Sequence, residues 1–380
     1  MMVDDVKQVI GFVVIYFTVF LSSSTFSLMA PFFPNEALNK GMSTSVTGYV
    51  FSIYGISLMT MNLLVGKFLP IFGEKNVIVI GTILNGLSNI AFGCLYYVND
   101  SQLFTILCFV CRIIEGIGDA CIETTAYCLT SAKNKAVGSI ESCIALGNIF
   151  GFIFGGVLFE YSGFCLPFIV IGLLIVTCVP FLIISLNFHN EIEFEKAGET
   201  IIDEESSKNI TKISETETDS KRPKLSFSQL LTIPEIIITG FVVAFSGIDL
   251  AIFEPFIQTF LQSRNIGQIL ISTSFAASAI AYLFTAIFIG QILESENSIN
   301  IATIGSFISG VAFLFTDPSF IIPYDFRISF FGFPLLGMGT SMMLIPSIRV
   351  MLDFVIKSGY EEKCAQSLIS GFRTSLFAFG

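Results

Sequence analysis

Tryptophan is missing from this chain of 380 residues, and histidine occurs once, as His189. A lone histidine without a partner leaves no metal cluster of ordinary spacing and no nucleophile–base pair, which argues against an enzyme. Charge is scarce too. Asp, Glu, Lys and Arg make up 13% of the residues against 53% hydrophobic ones, which excludes a soluble domain of this length. The net charge is −11, which is not the basic footprint of a nucleic-acid binder. Nine cysteines (Cys94, Cys108, Cys111, Cys121, Cys128, Cys143, Cys165, Cys178 and Cys364) show no paired spacing. They frame neither a disulfide scaffold nor a zinc site.

What is abundant is apolar. Phe alone counts 42, and mean hydropathy is +0.80. Ten full segments are long enough to cross a bilayer, at about 9–30, 47–69, 76–97, 102–130, 137–159, 165–186, 235–261, 267–293, 298–316 and 328–352, and an eleventh begins near 365. The first is too long for a signal-peptide core and reads as a retained helix. The class is an all-α polytopic membrane protein. Residues 1–186 form one six-helix bundle and 235–380 a second, incomplete one. The stretch 187–234 between them is polar, with ten acids against six bases from Asn187 to Phe227, and its composition reads as a disordered linker. Lys7, Lys67, Lys75, Lys133, Lys135, Lys357, Lys363 and the linker bases fall on one side of the membrane; only Lys40, Arg264 and Arg327 fall on the other. This bias places the N-terminus and the linker in the cytoplasm.

One apolar segment carries charges at membrane depth. On a helix, Arg112, Glu115, Asp119 and Glu123 fall within about 80° of arc, a polar stripe on a greasy rod. Such charges cost several kcal/mol each unless they face a bundle interior or a water-filled cavity. Arg112 can partner Glu115 at i,i+3 or Asp119 two turns on. Other acids in or beside apolar segments are Glu141, Asp249 and Glu254; Glu254 precedes Pro255, where the helix should break. Arg349 and Asp353 close a segment near the surface, and Arg373 has no apparent partner. In the fifth segment Gly147, Gly151 and Gly155 lie four apart, with Gly138 before them and Gly156 after. A glycine face lets another helix approach closely, either as fixed packing or as a seam that moves between states.

These residues carry a resemblance. Gly138, Gly147, Gly151, Gly155 and Gly156 resemble the antiporter motif of the major facilitator superfamily, with Phe152 where that motif has proline. Arg112, Gly116, Gly118 and Ala120 resemble its fourth-helix motif. Gly66 to Lys75 resembles its loop between helices two and three, with Pro70 and Ile71 in place of the usual Asp and first base. More narrowly, Ala30 to Ala37, Gly138 to Glu141, Phe164 to Val170, Phe253-Glu254-Pro255 and Gly359 to Glu362 are similar to the vesicular amine transporters, above all their polyamine branch.

The resemblance implies a major facilitator fold, exchange of lumenal protons for cytosolic amines, a vesicle membrane, and no cofactor beyond the proton gradient. The partners it implies are a small cationic substrate, protons and lipid, with a monomeric chain and no nucleic acid. It also implies twelve helices, so the expectation is a truncated chain that transports poorly. A buried carboxyl can hold a proton or an ammonium in alternation, because burial favours its neutral form and a cation its charged form. The candidate substrate and proton residues are therefore Glu115, Asp119, Glu123, Glu141, Asp249 and Glu254, with Arg112 as an ion-pair partner. Glu123 and Glu141 stand near the cytoplasmic mouth, where a gate is the competing role. Tyr54, Tyr127 and Tyr282 can offer cation–π contacts. The alternatives are a non-transporting scaffold, a monoamine or xenobiotic exporter, and a plasma-membrane location.

Overall fold

The structure, a computed structural model, describes residues 2–29, 33–130, 134–207, 225–252, 261, 264, 266, 268–316, 326–360 and 362–379. Among the described residues there is no β-strand. The helices are α1 (Met2–Met29), α2 (Phe33–Asn39), α3 (Thr44–Phe72), α4 (Glu74–Cys94), α5 (Ser101–Thr130), α6 (Asn134–Ser162) and α7 (Cys165–Ser207). They continue with α8 (Phe227–Leu230), α9 (Pro234–Ile252), α10 (Gln268–Ile292), α11 (Ser298–Thr316), α12 (Phe326–Lys357) and α13 (Glu362–Phe379). Among the described residues, seven of them are long and apolar enough to cross a bilayer; α5, which buries Arg112, Glu115 and Asp119, and α13, which buries Arg373, are not among the seven.

Local chemistry sets several boundaries. Ser43 caps α3 by accepting from the Val46 amide. Gly73 ends α3 with φ 79°, a conformation that suits glycine, and its own N–H reaches the Leu69 carbonyl before Glu74 opens α4. One boundary departs from expectation. The stretch after Leu186 reads as linker, yet α7 runs on to Ser207. Extending an existing helix needs no new nucleus, and no proline interrupts the run after Pro180. Residues 208–224 lie outside the described residues.

Side chains are sorted the opposite way from those of a soluble protein. Phe241, Phe284, Phe307 and Phe331 are each more than half exposed, whereas Thr18, Ser24, Asn62, Asn85 and Thr124 are fully buried. This is the sorting that lipid demands: apolar rings outward, polar groups where helices can satisfy them.

The N-terminal helices pack α1 on α6 and α7, α4 on α5 and α7, and α3 on α5; among the C-terminal helices, α12 packs on α9, α10, α11 and α13. The two sets meet where α3 and α5 contact α13 and where α6 contacts α10. Glycines make both meetings close. A Cβ on Gly66 would lie 2.8 Å from the Gly371 Cα, and one on Gly138 would lie 2.8 Å from the Gly290 Cα. The motif glycines of α6 therefore divide. Gly147, Gly151 and Gly155 back onto Phe20, Ser24 and Leu28 of α1, within the same set, and Gly138 alone of the four faces the other set.

Because a Cβ on Gly371 would stand 2.6 Å from the Gly66 Cα, Gly371→Ala must push backbone apart. It is expected to destabilise by about 1–3 kcal/mol. Gly310→Ala, which meets nothing within 4 Å, is expected to be neutral or to gain up to ~1 kcal/mol. Thermal melts of the two variants in detergent check the contrast.

Candidate functional site

The stripe on α5 is buried, and each charge on it is met differently. Arg112 Nη1 pairs with Glu115 Oε2 at 2.6 Å, and the two side chains are 1% and 2% exposed. The Arg112 guanidinium also lies over the Tyr54 ring, 4.3 Å from its centroid. Of the two partners open to Arg112 in sequence, Glu115 is the one engaged. The pair leaves Arg112 Nε, Arg112 Nη2 and Glu115 Oε1 buried without a hydrogen bond.

Asp119 has no such cation among the described residues. Its Oδ1 accepts from the Ser22 hydroxyl of α1 and from Asn85 Nδ2 of α4 at 2.7 Å, and its Oδ2 accepts from the Tyr54 hydroxyl of α3 at 2.6 Å. All three donors are neutral, and the carboxylate is buried. Small residues make this convergence possible. A Cβ on Gly116 would meet the Tyr54 carbonyl at 2.8 Å, and one on Gly118 would meet the Asn85 amide nitrogen at 2.7 Å. Without side chains at these two positions, α3 and α4 close on α5 and bring their donors to Asp119.

A second buried cluster joins the two sets of helices. Glu141 of α6 accepts from Tyr127 of α5 at 2.6 Å and from Tyr282 of α10 at 2.5 Å. It also pairs with Arg373 of α13 at 2.5 Å. Arg373, which has no partner evident in sequence, is thus the counter-ion of Glu141. It further donates to Ser347 Oγ at 2.9 Å and to the Leu344 carbonyl of α12 at 3.1 Å, and it lies over the Tyr127 ring at 4.5 Å. Glu123, half-buried, interacts electrostatically with both Glu141 and Arg373. Beside this cluster Thr124 bonds Asn62 Oδ1 at 2.9 Å and approaches Thr374 at 3.2 Å, a polar bridge from α5 to α3 and α13.

The remaining candidates stand apart. Asp249 on α9, half-buried, accepts from Ser309 of α11 at 2.5 Å and, among the described residues, shares no hydrogen-bond partner with Asp119 or Glu141. Arg349 and Asp353 pair at 3.1 Å and are partly exposed. Glu254 lies outside the described residues. Sequence reasoning passed over Ser22, Asn85 and Ser347. The signal that could have found Asn85 is an Asn inside the apolar 76–97 segment, which also holds Asn89.

Both members of the Arg112–Glu115 pair are buried, so removing one strands the other. Arg112→Gln is expected to cost about 3–5 kcal/mol, and Arg112→Gln with Glu115→Gln to recover much of that loss. Unfolding measurements on the two single variants and the double variant test it; a double-variant cost equal to the sum of the two single costs would show that the pair is not coupled.

The sequence model of the Major Facilitator Superfamily matches residues 15–380. The MFS-type transporter SLC18B1 of Mus musculus is 24% identical over 367 residues, covering 94% of this chain and 74% of that protein. The SLC18B1 of Homo sapiens is 24% identical over 370 residues, covering 94% and 75%. The vesicular acetylcholine transporter of Mus musculus is 24% identical over 158 residues, 40% of this chain and 28% of that one. Among solved structures, the human organic anion transporter MFSD10 (TETRAN) superposes with a TM-score of 0.70 at 13% identity, covering 98% of this chain and 91% of that one. At that identity the likeness shows the fold alone. The relatives and the fold are those of membrane transporters, not of enzymes, and the chain belongs to the Major Facilitator Superfamily.

Proposed function

We propose that this chain is a proton-coupled antiporter of organic cations, with polyamines as the substrate class, working by alternating access in an organelle membrane. The observation that carries the reading is Asp119, a buried carboxylate held by three neutral donors from α1, α3 and α4 and by no basic side chain among the described residues. An uncompensated carboxylate in a low dielectric is costly, and a proton or an ammonium would each relieve it. Binding one excludes the other, which is the coupling that exchange requires.

The spacing of the acids supports the substrate class. Glu115, Asp119 and Glu123 succeed one another at four-residue intervals on α5, a rise of about 6 Å each. That interval suits amines separated by three or four methylenes. A compound with several ammoniums can engage more than one acid, whereas a monoamine can engage one. The glycine contacts support a state closed on the cytoplasmic side. Gly66 with Gly371 and Gly138 with Gly290 bring the two sets of helices together at one end, and the lysine and arginine bias supports a cytoplasmic assignment of that end. The vesicle membrane rests on the vesicular names among the relatives.

Uptake of labelled spermidine by proteoliposomes with an imposed pH gradient tests the reading. Asp119→Asn is expected to lower uptake roughly ten- to hundredfold, the equivalent of ~1.5–3 kcal/mol for a hydrogen bond to a charged group. Uptake indifferent to the gradient, or Asp119→Asn at the rate of the unaltered chain, would refute it.

A further inference from the structure

We propose that Arg373 fills a cation site belonging to the N-terminal helices, and that an organic ammonium takes its place when the two sets of helices part. This rests on the transport reading above and adds a second station to it, apart from Asp119.

The site is built from α5 and α6. Glu141 supplies the carboxylate, Tyr127 both a hydroxyl on that carboxylate and a ring face under the guanidinium, and Glu123 a second carboxylate within electrostatic reach. A carboxylate, an aromatic face and a further acid form the usual environment of a bound organic cation. Here the cation is the chain's own, and it comes from the other set of helices. The C-terminal side contributes Tyr282, Ser347 and the Leu344 carbonyl, which hold Glu141 and Arg373 in place. On α1, Tyr16 hydrogen-bonds Ser139, which lies two residues before Glu141 on α6.

Opening the seam must empty this site. Gly138, which meets Gly290, lies less than one turn before Glu141, and Gly371, which meets Gly66, lies two residues before Arg373. When α13 and α10 move away from α6, Arg373, Tyr282 and Ser347 leave together. Glu141, Glu123 and Tyr127 remain on the N-terminal side. In the closed state the cluster holds two carboxylates against one guanidinium; after opening it holds two carboxylates and no base. Two neighbouring carboxylates facing the opened cavity without a base repel one another, at a cost in free energy. An incoming ammonium removes that cost and meets the same acid, hydroxyl and ring that the guanidinium met. Arg373 is then a tethered competitor: it seals the site when substrate is absent and yields it when substrate binds.

The test removes the tether and supplies the cation from solution. Arg373→Ala, purified as the full chain in nanodiscs, should melt lower than the unaltered chain. It should regain several degrees saturably on addition of methylguanidinium, and likewise with spermidine. Glu141→Gln with Arg373→Ala should not respond. Equal responses from the single and double variants, or no response from either, overturn the proposal. Where Arg373→Ala does not fold, spin labels at the exposed Ile71 and Glu296 read the seam instead. Glu141→Gln should widen that distance and Arg373→Lys should not; an unchanged distribution in Glu141→Gln overturns the proposal. A cation response in Arg373→Ala without any amine uptake by the unaltered chain would sink the transport reading and leave the cation site standing. Uptake without a cation response would do the reverse.

Discussion

A carboxylate in a lipid-embedded bundle must be met by a donor or a cation, and much of this architecture is the consequence of meeting four acids around α5. Glu115 is met from its own helix by Arg112. Asp119 is met by hydroxyl and amide groups from three neighbouring helices. Glu141 is met by a guanidinium from the far end of the chain, and Glu123 shares that guanidinium's field. The reach of each solution grows with sequence distance: i,i+3 for Glu115, across the N-terminal helices for Asp119, and across the whole molecule for Glu141. In a medium without water to solvate leftovers, the helices can pack only where these needs are satisfied together.

Glycine is what allows the helices to come close enough. In lipid there is little hydrophobic drive between helices, so close backbone contact has to supply the attraction. Gly116 and Gly118 admit α3 and α4 to α5, which positions Tyr54 and Asn85 on Asp119. Gly147, Gly151 and Gly155 admit α1, which carries Ser22 within that same surface. Gly66, Gly138, Gly290 and Gly371 act between the two sets of helices. One residue type therefore serves two ends: fixed packing inside the N-terminal set, and close backbone apposition between the two sets.

The same division separates the two acid clusters. The Asp119 cluster lies wholly within α1, α3, α4 and α5, so relative movement of the two sets can leave it whole. The Glu141 cluster draws on α5, α6, α10, α12 and α13, so the same movement must take it apart. A binding residue and a state-dependent one are told apart by which helices supply their partners, not by residue type, since both are buried carboxylates holding tyrosine hydroxyls.

The sequence by itself determined the membrane class, the positions of the long helices, and the facts that Arg112, Glu115, Asp119 and Glu123 share a face and that Arg112 can reach Glu115. All of these are local: hydropathy over about twenty residues and a 100° turn per residue decide them. Small-residue spacing was legible too, although not which helix each glycine would meet. Tertiary structure alone decided that Arg373 answers Glu141 across 232 positions and that Ser22 and Asn85 complete Asp119. Pairings of that kind depend on which faces of distant helices are brought into register. No periodicity along one helix encodes the face of another, and a lone buried charge in sequence reveals only that some partner must exist.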